Sequence, residues 1–301
     1  MTDLFRAWNP DEVAIPASYP QYNSLRYFDY QTELQQALVY RDYEVPFVIR
    51  NVPSLLAAGD KWTDDYLTMA SKGHSMRVET AESNHFMYHN GAALVCVCVC
   101  RGSKPPTERV KMDFPRWSER AHERDETPTD TKPLYYMRMS GWQKDRDDVS
   151  DLCVVFITKD ISMFVSPSFF VKTPKFQRGI HCRFGMAGII AESHYDGGRN
   201  FIAMVKGKKR YVLNPPDQCP ELDMLHSGPS ARHASYDWSD PANFDKLDPA
   251  RALEVVIEAG DVLYVPAFWF HYIVSLSYNI QCNSRSGTPP DDAKAIQECG
   301  F

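Results

Sequence analysis

The chain has 301 residues, 44% of them hydrophobic and 13% aromatic, enough to bury a large core as one elaborated domain or two. A formal net charge of -6 argues against a sequence-independent nucleic-acid binder, and no apolar run is long enough to span a membrane. The start lacks a hydrophobic signal region and eight cysteines are not a disulfide-rich density, so a reducing cytoplasmic or nuclear setting is expected.

In chain order, residues 1–45 mix turn signals with one helical stretch, Tyr30 to Tyr40, and Glu44 to Val52 reads as a strand. Thr63 is a candidate cap for a helix over Asp64 to Ala70. Cys96, Cys98 and Cys100 alternate with valine on one strand face; spacing by one residue suits a buried strand better than a zinc site. Asp113 to Glu123 reads as a charged surface helix, with polar loops at 124–132 and 144–151.

From Ile190 onward short strands dominate. Asn200 to Lys206 and Lys209 to Leu213 flank Gly207-Lys208, which reads as a two-residue hairpin turn. Leu253 to Glu258, the Ala259-Gly260-Asp261 turn and Val262 to Val265 follow, after a long loop at 219–251 that interrupts the strands. Such punctuation implies an all-β barrel or sandwich.

Within that pattern, His194-Tyr195-Asp196 and His271 are the candidate metal ligands. Strand residues two apart share a face, so His194 and Asp196 can converge on one ion while Tyr195 points away. Two imidazoles and one carboxylate hold Fe(II) on one face and leave the other open. Alternation also turns Lys209 away from Arg210, to the side of Tyr211, either into a pocket or out to solvent. It does not choose between Tyr135 and Tyr136. Phe268, Trp269 and Phe270 read as core packing.

His194-Tyr195-Asp196, Asn200-Phe201, the 206–210 basic run, Pro215-Pro216-Asp217, the 260–266 segment and Trp269-Phe270-His271 together resemble the JmjC (cupin-like) 2-oxoglutarate oxygenases. The resemblance spans roughly residues 45–286, with the branch of the asparaginyl hydroxylase that inhibits hypoxia-inducible factor as the nearest; 77–88 is similar to that branch too. It implies a mainly β fold, a double-stranded β-helix (jelly-roll) with an N-terminal α/β extension and surface helices. The extension would occupy 1–130, the catalytic domain 131–290 and a tail 291–301. His194, Asp196 and His271 would bind Fe(II), beside 2-oxoglutarate and dioxygen. Lys209 and Tyr135 would grip the distal carboxylate of 2-oxoglutarate, Asn200 and Asn283 would line its pocket, and Arg232 would contact substrate.

Three features depart from the family pattern. Ala191 stands where a threonine hydroxyl often helps hold the cosubstrate, and Met137 where the asparaginyl hydroxylase has a glutamine that contacts the target amide. The chain reaches Phe301 without that enzyme's dimerising C-terminal helices, which leaves the oligomeric state open. The 95–111 segment matches the family least and reads as an insertion. The activity implied is hydroxylation of a protein side chain of Asn, Asp or His type, with a protein or peptide as partner and neither sequence-specific nucleic acid nor membrane. Two alternatives remain: oxidation of methyl-lysine or a modified tRNA base, and a non-catalytic metal-binding cupin.

Overall fold

The computed structural model describes residues 25–71, 74–87, 107–128, 131–141, 152–165, 167–228, 230–288 and 293–301. The expected strand over 95–100 and loop over 144–151 lie outside the described residues.

Eight strands form a jelly-roll: β7 (His181–Gly185), β8 (Ile190–Tyr195), β9 (Asn200–Lys206), β10 (Lys208–Asn214), β11 (Leu253–Glu258), β12 (Val262–Val265), β13 (Phe270–Ser275) and β14 (Asn279–Arg285). One sheet carries the order β12-β9-β14-β7 and the other β11-β10-β13-β8. Strands β9 and β14 sit mid-sheet and are buried almost throughout; β9 accordingly reads as an apolar run rather than as clean alternation, whereas β14 is largely polar in sequence.

The N-terminal part extends both sheets. The larger gains β1 (Arg26–Asp29) and β2 (Phe47–Arg50) beyond β12, and β6 (Tyr135–Ser140), β3 (Met76–Thr80) and β5 (Glu108–Met112) beyond β7. The smaller gains β4 (His85–Phe86) beside β8. The extension is thus hydrogen-bonded into the jelly-roll sheets. Phe47 stacks between extension and barrel, its ring centroid 5.2 Å from Tyr264 and 6.4 Å from Phe201. Glu44 ties the same seam, accepting from Tyr264 Oη at 2.5 Å, Arg199 Nε at 2.7 Å and Lys172 Nζ at 2.7 Å.

Helices α1 (Leu34–Asp42), α2 (Pro53–Lys61), α3 (Asp64–Ala70), α4 (Phe114–Glu126) and α5 (Leu152–Asp160) belong to the extension and its junction. Thr63 caps α3, its side chain accepting from Tyr66 N at 3.2 Å. Asp113 caps α4 in the same way at 3.1 Å. The polar composition of α4 hides an amphipathic stripe, with Phe114, Trp117 and Ala121 buried against the large sheet and both rings contacting Phe184. α1 begins at Leu34 rather than Tyr30, because Asp29 accepts from Gln31 N and Thr32 N and fixes a turn there. Short helices α6 (Cys219–Leu222) and α7 (Phe244–Leu247) lie in the 219–251 loop, and α8 (Ala293–Glu298) follows the barrel.

Gly207-Lys208 is not a hairpin. β9 pairs with β12 and β14 while β10 pairs with β11 and β13, so the chain turns a corner between the two sheets. Gly207 has φ 71°, and a Cβ there would lie 1.9 Å from the Tyr278 carbonyl oxygen. The local signal marks a sharp reversal, but the partners that decide the sheet come from much later in the chain.

Disulfides join Cys182 to Cys282, directly opposed on β7 and β14, and Cys219 to Cys299. Cysteine density did not foreshadow them: strand register opposes Cys182 to Cys282, while Cys219 and Cys299 meet where α6 lies against the residue after α8.

Candidate metal centre

Strands β8 and β13 bring the ligands together. His194 lies opposite His271 in the antiparallel register, and their ring centroids are 4.3 Å apart. Asp196 follows two residues after His194, and its Oδ2 lies 3.8 Å from His271 Nε2. One ligand atom from each of the three falls within 4.8 Å of the others.

Each imidazole is oriented by its own strand. His194 Nδ1 lies 2.7 Å from the Glu192 carbonyl, and His271 Nδ1 lies 3.0 Å from the Trp269 carbonyl. A carbonyl only accepts, so both Nδ1 atoms carry the proton and both Nε2 lone pairs are left for a metal. Burial, then the neighbouring His271, holds His194 at about 4, and burial lowers His271 as well. Neutral imidazoles are the metal-binding form. Burial pushes Asp196 up, but Arg285 and then the two histidines outweigh it and hold the carboxyl at about 2. Arg285 Nη2 reaches Asp196 Oδ2 at 2.5 Å.

A second group of three, His85, Glu192 and Asp237, has ligand atoms at similar spacing. There His85 Nδ1 already bonds Glu192 and lies 3.6 Å from Asp237, so the imidazole bridges two carboxylates. At the first site two imidazole nitrogens converge with no proton between them, which makes it the better metal site.

A register shift in β8 controls what else faces the ion. His271 opposes His194 while Ile273 opposes Ala191, so β8 carries one extra residue between them. The bulge returns Ala191 to the inward face, together with His194. The methyl at Ala191 leaves the pocket without a hydroxyl at that point.

Lys209 is 2% exposed and faces inward with Tyr211, while Arg210 faces out and pairs with Glu254 at 2.7 Å. Burial, then the charge of Arg183, holds the Lys209 ammonium at about 7. Among the described residues no carboxylate pairs with it. A buried ammonium beside a guanidinium needs an anionic occupant. The tyrosine beside it is Tyr136, whose ring centroid lies 5.5 Å from Lys209 Nζ. Tyr135 shares its strand face with buried Met137 and Met139, which packs against Phe184 and α4. The structure therefore turns Tyr135 away from Lys209.

Asn200 and Asn283 meet inside the barrel. Asn283 Nδ2 donates to Asn200 Oδ1 at 2.8 Å, and Asn200 Nδ2 is 3.5 Å from Asp196 Oδ2. Arg183 Nη1 donates to Asn283 Oδ1. Arg232 is exposed and stands over the ring of Tyr195, 5.7 Å from its centroid, on the side away from His194. Its neighbour His233 does reach the centre, stacked 5.2 Å from His194. Sequence reasoning missed Arg285, Arg183 and His233, and left Tyr135 and Tyr136 as alternatives that only the resemblance decided, for Tyr135. Alternation from Asn283 would have led to Arg285, but no local signal marks His233.

Residues 34–284 match the cupin-like domain family. The chain belongs to it. Among relatives of this cupin-like protein, tRNA wybutosine-synthesizing protein 5 of Homo sapiens is 29% identical over 247 residues, 79% of this chain and 70% of that protein. The Gallus gallus protein of the same name is 28% identical over 232 residues, covering 74% and 64%. Lysine-specific demethylase JMJ30 of Arabidopsis thaliana is 24% identical over 247 residues, covering 80% and 50%. The chain thus spans about two thirds of the first two relatives and half of the third. These matches support the JmjC/cupin oxygenase superfamily; the asparaginyl-hydroxylase branch stays a resemblance only.

Proposed function

We propose that this cupin-like protein is an Fe(II)- and 2-oxoglutarate-dependent dioxygenase acting on a modified base of tRNA. The observation that carries the oxygenase reading is the pairing of two sites in one barrel. His194, Asp196 and His271 offer a two-imidazole, one-carboxylate set, and the buried Lys209 stands in the same interior with no carboxylate paired to it among the described residues. When bound, Fe(II) and 2-oxoglutarate supply oxidation of a substrate C–H bond by dioxygen, with release of succinate and carbon dioxide.

The chain's residues bind and position. Lys209 and Tyr136 are the pair suited to a distal carboxylate, since a buried ammonium gains most from a charge-assisted bond. Asn200 and Asn283 brace each other between Asp196 and Arg183. Arg285 neutralises the Asp196 oxygen it contacts and fixes that carboxylate's orientation. The apolar walls Ile202, Met204 and Leu213 exclude water from the interior.

Two observations support the tRNA-base reading over the protein side chain that the sequence put first. The matches covering three quarters or more of this chain at 29% identity carry the name of a tRNA-modifying protein. With Tyr136 as the pocket tyrosine, the inward position two residues on is Arg138, not the buried Met137, so a cation stands where an amide-reading glutamine was sought.

The test is succinate formation by purified protein with Fe(II) and 2-oxoglutarate, with and without bulk tRNA, and mass spectrometry of the digested nucleosides. The expected result is stimulation by tRNA, one nucleoside heavier by one oxygen, and loss of both in Asp196→Ala. Turnover stimulated by a peptide and not by tRNA would overturn the substrate; no iron-dependent succinate under any condition would overturn the oxygenase.

A further inference from the structure

The large sheet continues past the jelly-roll through β6, β3 and β5, and that continuation shares its inner face with the pocket. Along it, cations stand directly opposite one another. Lys111 of β5 pairs in register with Arg77 of β3, Arg77 with Arg138 of β6, and Arg138 with Arg183 of β7. Directly opposed residues share a face with Cβ atoms about 5 Å apart, and like charges so placed are destabilising. Four strands in succession therefore carry one unbroken row of positive side chains, roughly 14 Å across at the usual strand spacing.

Counter-charge is scarce. Among the described residues Glu79 alone pairs with this row, and it is shared by Arg77 at 2.8 Å, Arg138 at 3.5 Å and Arg109 at 3.9 Å. Among the described residues, one carboxylate against five cations leaves the face strongly positive.

The row is also graded in depth. Arg77 is 44% exposed and Arg138 32% exposed by side chain, while Lys111 is exposed at the sheet edge. At the inner end Arg183 donates to Asn283, which leads through Asn200 to Asp196. The charged track runs from an open edge to the candidate metal centre.

We propose that this face, the row Lys111–Arg77–Arg138–Arg183 with Arg109, docks the phosphodiester backbone of an RNA whose target base enters the barrel. The inference rests on the tRNA-base reading above and adds the route by which the RNA is held. Phosphate contacts position a nucleic acid without reading its bases, and a row of guanidinium groups suits that task. The net charge of -6 concealed the surface, because its cations come from five separate sequence positions that only strand register brings into line.

Fluorescence anisotropy of a labelled in vitro tRNA transcript, titrated with the full chain from about 50 to about 200 mM NaCl, tests the proposal. The double variant Arg77→Glu with Lys111→Glu is expected to weaken binding at least about tenfold and to lower the log–log salt slope by about two, as two phosphate contacts are lost. Removing opposed like charges should leave the melting temperature unchanged or higher. Should that pair fail to fold, Arg109→Glu is expected to show a smaller loss in the same direction. Equal affinity and salt slope in wild type and variants would overturn the docking surface, even with tRNA oxidised. An acidic peptide of matched charge that binds more tightly than the transcript would overturn it also. Charge-dependent binding of the transcript with no nucleoside oxidised would uphold the surface and sink the tRNA-base reading instead.

Discussion

His194 Nδ1 donates to the carbonyl of Glu192, two residues earlier on the same strand, at 2.7 Å. The holder of this ligand is therefore backbone. The Glu192 side chain turns instead to His85, outside the ligand set. Losing an outer side-chain partner of a ligating histidine usually costs 10–100-fold in metal affinity. Glu192→Gln should change affinity for Fe(II) or Co(II) by no more than about threefold, while Asp196→Ala abolishes binding. Competition against a chromophoric chelator measures both, and a loss above about tenfold in Glu192→Gln would mean that the carboxylate, not the carbonyl, sets the imidazole.

Tyr136 and Tyr135 are neighbours with opposite duties. Only Tyr136 stands beside Lys209, while Tyr135 belongs to the face that packs on α4. A hydrogen bond to a charged group contributes about 1.5–3 kcal/mol, so Tyr136→Phe should raise the KM for 2-oxoglutarate by about ten- to a hundredfold. Tyr135→Phe should leave it within about twofold. Succinate production against 2-oxoglutarate concentration decides, and the reverse pattern would restore Tyr135 to the pocket.

Tyr135 illustrates where the sequence stopped being legible. Alternation shows that one of two adjacent tyrosines faces the pocket, but which one depends on the strand's register against β3 and β7. For Lys209, alternation separated it from Arg210 but left pocket and solvent both open, and only the resemblance pointed it inward; the structure buries Arg210 on the other side against Glu254. The three candidate ligands were visible because short strands confine them to one face. The β8 bulge that brings Ala191 back to that face was not, since it is defined only against Ile273 on a distant strand. Gly207 announced a sharp turn correctly but could not say that β9 and β10 part into different sheets. His233 reaches the centre from the 219–251 loop, where no periodicity fixes position.

Asp261 gives the fold a pH dependence of its own. It is 4% exposed in the turn before β12, and burial raises its carboxyl from the ordinary 3.8 to about 6 although Glu258 N donates to it. Between those values the folded state binds more protons than the unfolded, so stability falls as pH rises through that window and stays lower above it. Asp261→Asn keeps an acceptor for Glu258 N and removes the buried charge. The variant should match wild type near pH 4 and exceed it at pH 8 by about 2 kcal/mol, a shift of several degrees in melting temperature. Thermal melts at the two pH values check this; a variant less stable at pH 8 would show that Arg50, whose Nε is 3.9 Å from Asp261 Oδ1, outweighs burial.

Lys209 carries the opposite sign. Its folded value, about 7, lies below the ordinary 10.5, so the cost of burying the ammonium is fully present below pH 7 and fades as pH rises from 7 towards 10.5. A carboxylate ligand reverses this by binding only the charged form tightly. Affinity for 2-oxoglutarate in the Mn(II)-loaded protein should then weaken by about tenfold per pH unit above 7, with close to one proton taken up on binding at pH 8. Calorimetry in two buffers of different ionisation enthalpy reads both quantities. Lys209→Met should lose the affinity and the proton uptake together while unfolding at a higher temperature than wild type at pH 6.5, because an uncompensated buried charge has gone. Affinity independent of pH from 7 to 9, with no buffer dependence, would mean that the ammonium is not what receives the ligand.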